Sequence, residues 1–131
     1  MCIRDSSCTD VTGFALLGHS FEMAQGSGCT VHIQTADVPY HPEAWELADM
    51  GFLPAGAYRN REYAEGGVTV RCGISRTMQD LLYDPQTSGG LLMAVAAADA
   101  GACLRELRDT IPTAAAVGYV TEKQDNWIIL E

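Results

Sequence analysis

The sequence predicts one domain of the α+β class, and three observations lead to this prediction. A chain of 131 residues, 47% hydrophobic and 19% charged, is long and apolar enough to form one compact core. Apolar side chains recur at helical spacing between residues 12 and 25, whereas Val31 and Ile33 alternate with polar neighbours like a half-buried strand. Helical and extended segments then follow one another to the end of the chain, which indicates a mixed, layered domain.

The first half of the chain contains two predicted helices and one strand. Residues 12–25 form a helix, because Phe14, Leu17, Phe21 and Ala24 share one face and glycines follow at once. Residues 29–34 form a strand. A short helix begins at Pro42, since proline suits a first helical turn, and it ends at Gly51. The pattern is broken over residues 51–67, which we interpret as a loop with one helical turn.

The second half contains four predicted strands and one helix. A strand over residues 68–72 is followed by an irregular stretch. Residues 91–96 then form an apolar run, which is typical of a buried strand. Residues 99–108 form a helix, and we expect this helix and the first one to flank the buried strand. Two further strands, over residues 114–120 and 127–130, are joined by a polar turn.

The charge of the chain narrows the classes of partner. The formal net charge is −9, and the eight basic residues are scattered without the basic and aromatic alternation of a strand-binding groove. We therefore expect neither nucleic acid nor a membrane surface as a partner. A nucleotide remains possible as a ligand only where a cation offsets its phosphate charge. The chain has no apolar run of membrane-spanning length and no signal-peptide centre, so we predict a cytoplasmic protein.

The cysteines and histidines give no sign of a metal centre. The five cysteines are odd in number, widely spaced and without a Cys-x-x-Cys pair, which favours reduced structural thiols: Cys2, Cys8, Cys29, Cys72 and Cys103. The three histidines fall on different predicted elements at no metal-binding spacing: His19, His32 and His41. We assign these histidines no chemistry and expect solvated or locally hydrogen-bonded rings.

The first candidate site is the segment Thr9-Asp10-Val11-Thr12-Gly13 at the predicted start of the first helix. Backbone N–H groups at a helix entrance attract anions such as phosphate, and an aspartate is a hard oxygen ligand for magnesium. One short segment could thus hold both metal and phosphate, with Asp10 as the metal ligand and Thr9, Thr12 and Gly13 near the nucleotide. The structural alternative is that Asp10 or Thr12 merely caps the helix.

The second candidate site is the segment from Asp84 to Gly90, just before the apolar run. Its paired glycines allow close backbone approach, and N–H groups in such a turn can bind an oxyanion. The candidate nucleotide-binding residues are Thr87, Ser88, Gly89 and Gly90. The alternative is a tight turn that opens a strand. The segment is no P-loop, because the chain has only Lys123, far from these glycines.

Three motifs in this order resemble the carboxy-terminal domain of selenophosphate synthetases. Residues 9–19 read TDVTGFALLGH, where the family has glycine in place of Ala15. Residues 53–60 contain the Leu-Pro-Ala-Gly and Arg-Asn of a family loop, and residues 84–92 read DPQTSGGLL. The resemblance covers almost the whole chain from Ser7. It implies a fold like the AIR synthetase carboxy-terminal domain, a mixed or antiparallel sheet with helices packed on one face.

The resemblance also implies an activity and its cofactors. Selenophosphate synthetases convert ATP, selenide and water into selenophosphate, AMP and phosphate, and the aspartate matching Asp10 binds Mg²⁺. The nucleophile and the other metal-binding aspartates of the family belong to an amino-terminal domain that this sequence lacks. We therefore expect residues 7–131 to be a carboxy-terminal fragment, inactive alone and homodimeric when full-length. Residues 1–6 match nothing, and we interpret them as an artefact of truncation.

Two other functions remain open at this stage. Aminoimidazole ribonucleotide synthetase and thiamine-phosphate kinase share the two-domain plan, so a related ATP-using enzyme is one alternative. A non-catalytic binding module is the other. Cys2 and Cys8 are not candidates for the missing nucleophile, since neither has a lysine or histidine beside it in the sequence.

Overall fold

The computed structural model describes residues 5–131, which form six strands and five helices within that range. The elements in chain order are β1 (Asp5–Asp10), α1 (Ala15–Ser27), β2 (Cys29–Ile33), α2 (Pro42–Asp49), α3 (Ala55–Ala64), β3 (Val68–Val70), α4 (Arg76–Leu82), β4 (Leu91–Val95), α5 (Ala97–Thr110), β5 (Gly118–Glu122) and β6 (Ile128–Leu130). Cys2 and the rest of residues 1–4 lie outside the described range. β1 includes Asp5 and Ser6, which belong to the segment of residues 1–6 that was interpreted as an artefact of truncation.

The strands form two sheets. A four-stranded sheet has the order β3-β6-β2-β5, in which β6 runs parallel to β2 and β3 while β5 runs antiparallel to β2. β1 and β4 pair antiparallel in a separate two-stranded sheet. The mixed sheet and the helices confirm the α+β class.

The core lies between α1 and the four-stranded sheet. Leu17 on α1 and Ile33, Ile128 and Leu130 on the central strands are fully or almost fully buried. α1 packs against β2 and β6, and α3 and α4 pack behind it. Gly67 lets Phe21 into this core, since a Cβ there would lie 2.1 Å from the Phe21 ring. The sheet and α1 are therefore the rigid base on which the turn before α1 rests.

Four predictions about the elements need correction. α1 begins at Ala15 rather than Thr12, because residues 12–14 form a turn in which the Thr12 carbonyl accepts from the Ala15 amide at 3.0 Å. Residues 55–64 are a ten-residue helix and not a loop. The stretch described as irregular contains α4, whose first turn is capped by the Ser75 hydroxyl. Finally, β4 is a strand, but none of its residues is buried, and Leu91 is 67% exposed.

Within residues 5–131, no helix is both long and apolar enough to cross a bilayer.

Candidate functional site

The two sequence motifs meet in the structure through their backbones. The Val11 amide donates to the Gly90 carbonyl at 2.8 Å, and the Gly89 amide donates to the Val11 carbonyl at 3.0 Å. The Gln86 amide donates to the Thr12 carbonyl at 3.0 Å. The turn after β1 and the loop before β4 therefore form one unit, which we call the motif junction (residues 10–14 and 84–90).

Gly89 is required for this approach of the two chains. A Cβ at Gly89 would lie 2.6 Å from the Val11 carbonyl oxygen, and a backbone atom cannot move aside as a side chain can. Gly90 has a φ of +86°, a left-handed conformation that side chains disfavour. The paired glycines thus act in joining the two motifs.

α3 braces the motif junction from behind. Asn60 is 5% exposed, and its side-chain amide donates to the Gly13 carbonyl at 2.9 Å and to the Tyr83 carbonyl at 3.1 Å. Gly56 on the same helix faces Pro85, where a Cβ would lie 2.9 Å from the ring. The third matched motif therefore supports the other two. Sequence reasoning gave Asn60 no role, although an asparagine inside a matched motif was the available signal.

Asp10 lies exposed at the end of β1, and no Lys or Arg within residues 5–131 forms an ion pair with it. It is not at the helix entrance, because the turn of residues 11–14 separates it from α1. The N-cap position of α1 is Phe14, and no side chain caps the helix there. The capping alternative for Asp10 and Thr12 is therefore not what the structure has.

The Asp84–Gly90 loop presents free donors. Thr87 and Ser88 are exposed, and neither their hydroxyls nor their amides have a partner among the described residues. The Gly89 amide, by contrast, is used by Val11. Desolvation raises the pKa of the Asp84 carboxyl above its usual value, against the opposing effect of a 2.7 Å hydrogen bond from the Gln86 side chain. An oxyanion would find its donors at Thr87 and Ser88.

The hydroxyls of the first motif are already engaged. Thr9 donates weakly to the Asp10 carbonyl at 3.4 Å, and Thr12 Oγ1 lies 3.1 Å from His19 Nε2. His19 is a locally hydrogen-bonded ring, as one of the expectations had it. The sequence contained no signal for the contact between His19 and Thr12, because the two residues do not form a recognisable metal-binding pattern.

The described residues do not by themselves enclose a magnesium ion. Among residues 5–131 there is no group of three or more His, Cys, Asp or Glu side chains that could enclose a metal. An exposed carboxylate without a basic partner suits a hard cation that keeps water and gains further ligands elsewhere. The motif junction fits one part of a magnesium site.

Comparison with known proteins gives the family. The family described as AIR synthase related protein, C-terminal domain, matches residues 4–131. The chain belongs to this family. This match, together with the helices and mixed sheet described above, confirms the expectation of a fold of the AIR synthetase carboxy-terminal type.

Several curated proteins are similar to nearly the whole chain. "Selenide, water dikinase" of Pelobacter propionicus is 51% identical over 126 residues, which are 95% of this chain and 36% of that protein. "Selenide, water dikinase 2" of Peptoclostridium acidaminophilum is 46% identical with the same coverage, and the protein of Clostridium botulinum strain Eklund 17B is 42% identical over 125 residues. The resemblance to selenophosphate synthetases is confirmed. The chain spans about a third of the length of these relatives.

Proposed function

We propose that residues 7–131 are the carboxy-terminal domain of a selenophosphate synthetase, in which the motif junction forms one wall of an ATP and magnesium site. The remaining walls, the nucleophile and the other metal ligands belong to an amino-terminal domain. The full-length enzyme would convert ATP, selenide and water into selenophosphate, AMP and phosphate. The full-length protein would be cytoplasmic, as expected from the sequence, and a homodimer, as the resemblance implies.

The observation that carries this proposal is the backbone joining of two distant motifs whose Asp10, Thr87 and Ser88 are all exposed. Backbone hydrogen bonds fix the Asp10 segment against the Thr87–Ser88 segment, so a carboxylate and a set of free donors belong to the same rigid unit. A carboxylate attracts a cation, whereas free N–H and O–H groups attract phosphate oxygen. A magnesium–nucleotide complex carries both kinds of group.

Each residue of the proposed site has a distinct part. Asp10 would hold Mg²⁺, with Thr9 and Thr12 oxygens close in sequence, and the ion would neutralise charge on the transferred phosphoryl group. Thr87 and Ser88 would donate to phosphate oxygens. Gly13, Gly89 and Gly90 would set the path of the backbone around the nucleotide. In this proposal the chain contributes positioning and charge, and the nucleophile comes from the amino-terminal domain.

Asp10→Asn in the full-length protein tests the proposal. The variant keeps the size of the side chain but loses the charge that holds the cation, so selenide-dependent ATP turnover should fall on the order of 100-fold or more. The loss should be partly recovered at high Mg²⁺. Because Asp10 is exposed and unpaired, the melting temperature should hardly change. Turnover is measured across a Mg²⁺ titration, with thermal melting of the same samples.

Asp109→Asn, which removes an exposed carboxylate on α5, is the matched control and should retain turnover. Normal turnover and an unchanged Mg²⁺ requirement in Asp10→Asn would refute the metal role. ATP turnover that does not need selenide would instead favour a related synthetase or kinase. No turnover by the full-length wild type with any such substrate would favour a binding module.

A further inference from the structure

His19 is a buried histidine whose two ring nitrogens both face polar atoms. It lies on α1 and is 8% exposed. Nε2 is 3.1 Å from Thr12 Oγ1, and Nδ1 is 3.4 Å from the Glu22 carboxylate. The ring of Phe14 meets the imidazole edge to face, with 5.7 Å between the ring centres. These contacts hold the imidazole in one orientation toward the motif junction.

The contacts of His19 also indicate where its proton lies. The Glu22 carboxylate lies at ion-pair distance from Nδ1, and its negative charge favours the proton on that nitrogen. In the neutral ring, Nε2 is then an acceptor, and the Thr12 hydroxyl donates to it. The Thr12 oxygen keeps its lone pairs but has no hydrogen left to offer. Such an oxygen suits a cation or a water ligand, whereas it cannot donate to phosphate.

Thr12 is fixed by its backbone as well as by its side chain. Its carbonyl accepts from the Ala15 amide and from the Gln86 amide, each at 3.0 Å. The first bond shapes the turn before α1, and the second joins that turn to the other motif. A side-chain bond to His19 adds a third restraint on the residue that follows Asp10 by two positions.

We propose that His19 is a positioning residue of this site, which acts through Thr12 to hold the turn carrying Asp10 and to keep the Thr12 hydroxyl as an acceptor. The inference rests on the proposed function, since it concerns the surroundings of the same Asp10. His19 itself touches neither metal nor nucleotide. Loss of His19 should therefore raise the Mg²⁺ concentration needed for half-maximal turnover more than it lowers the maximal rate.

The test compares three variants of the full-length protein. His19→Leu and Thr12→Val each remove one end of the hydrogen bond, and each should raise the Mg²⁺ concentration for half-maximal turnover about 10-fold, as loss of a positioning contact does at other metal sites. His19→Gln keeps a side-chain acceptor for Thr12 and should recover most of this shift. Ser20→Ala is the control, because its buried hydroxyl has no partner within the described chain and lies next to His19.

A second readout needs no metal and no turnover. In metal-free full-length protein with ¹⁵N-labelled histidine, the His19 signals, assigned by their absence in His19→Gln, should show a protonated Nδ1 and a hydrogen-bonded Nε2. Thr12→Val should shift Nε2 toward the value of a free acceptor. A proton on Nε2 would overturn the inference, even where His19→Leu fails to fold.

The outcomes separate this inference from the proposed function. A large effect of Asp10→Asn with no change of Mg²⁺ requirement in Thr12→Val and His19→Leu refutes the positioning role alone. No effect of Asp10→Asn refutes both. A lowered melting temperature in His19→Leu with an unchanged Mg²⁺ requirement would assign His19 to the core and overturn the inference.

Discussion

Ala15, the first residue of α1, has a strained backbone directly after the motif junction. Its φ is +66°, and it is the one non-glycine residue with positive φ among the described part of the chain. The left-handed region brings Cβ close to a neighbouring carbonyl, which costs about 1–2 kcal/mol for an L-residue. The selenophosphate synthetases have glycine at this position, so the one departure in the first motif falls where glycine has a physical advantage.

Ala15→Gly should therefore be tolerated better than the same change elsewhere in α1. The matched control is Ala24→Gly, since both residues are fully buried and both changes remove one methyl group and add backbone freedom. Only Ala15→Gly also relieves left-handed strain, so its free energy of unfolding should exceed that of Ala24→Gly by about 1–2 kcal/mol. Urea unfolding of both variants measures the difference, and equal stabilities would mean that Ala15 is not strained.

Single residues of the site were only partly visible in the sequence. Asp10 was predicted as a metal ligand, and the structure leaves it exposed with no Lys or Arg partner among the described residues. Asn60 and His19 were missed because their partners are 47 and 7 positions away and are a carbonyl and a hydroxyl. Contacts of this kind leave no spacing that a reader of the sequence could recognise.

Among the elements, α3 and α4 show why hydrophobic periodicity fails for some helices. The buried residues of α3 are Ala57, Asn60 and Ala64, which have helical spacing but are small or polar. α4 buries Asp80, whose carboxylate pairs with Arg61 at 2.6 Å and with Arg76 at 3.0 Å. α3 has no apolar stripe. α4 has Met78, Leu81 and Leu82 at helical spacing, but it is only seven residues long, too short for the periodicity to stand out. The strands of the main sheet were found from their Val and Ile residues, but β5 spans Gly118–Glu122 rather than residues 114–120, because its sequence GYVTE contains only one such residue.

Glu131 ties together three strands of the main sheet. Its carboxylate accepts from the Tyr119 hydroxyl on β5 at 2.6 Å, faces His32 Nδ1 on β2 at 3.2 Å and pairs with Arg71 after β3 at 2.8 Å. The Tyr119 hydrogen bond is the main reason that the pKa of the Glu131 carboxyl lies below its usual value of 4.5, and Arg71 and His32 add to the effect. The ionised carboxylate therefore stabilises this edge of the sheet.

Glu131→Gln should remove a pH-dependent part of the stability. A carboxyl whose pKa is lower in the folded state stabilises the protein above its unfolded pKa, and the contribution is lost as pH falls through the folded value. The gap in free energy of unfolding between wild type and variant should thus be full above pH 4.5 and close in more acid solution. Denaturant unfolding at a series of pH values measures it, with exposed Glu122→Gln as control. A gap independent of pH would contradict the account.

At the scale of the whole molecule, the chain has a firmly packed part and a loosely packed part. The core cluster joins α1, the central strands and α4. The β1–β4 pair forms its own sheet, and α5 buries none of its residues. The apolar run predicted that β4 is a buried strand. Composition alone, however, does not say whether another element covers the apolar face of the strand. The motif junction lies where the two parts meet, so Asp10 is anchored by the packed part.

Hydrogen exchange of the 131-residue chain should reveal this division. Local opening costs little where few apolar contacts are lost, so amides in the middle of α5 should exchange at least about 10-fold faster than those in the middle of α1. The two helices are of similar length, 14 and 13 residues, which makes α1 a fair reference for fraying.

Along β1, protection should rise toward Val11, because that amide is 2.8 Å from the Gly90 carbonyl and the residue is buried. Exchange measured by NMR resolves these positions. Equal protection of α5 and α1 would mean that α5 is held by the core after all. Rapid exchange at Val11 would mean that the two motifs are not locked together, and the physical basis for a preformed wall of the site would be lost.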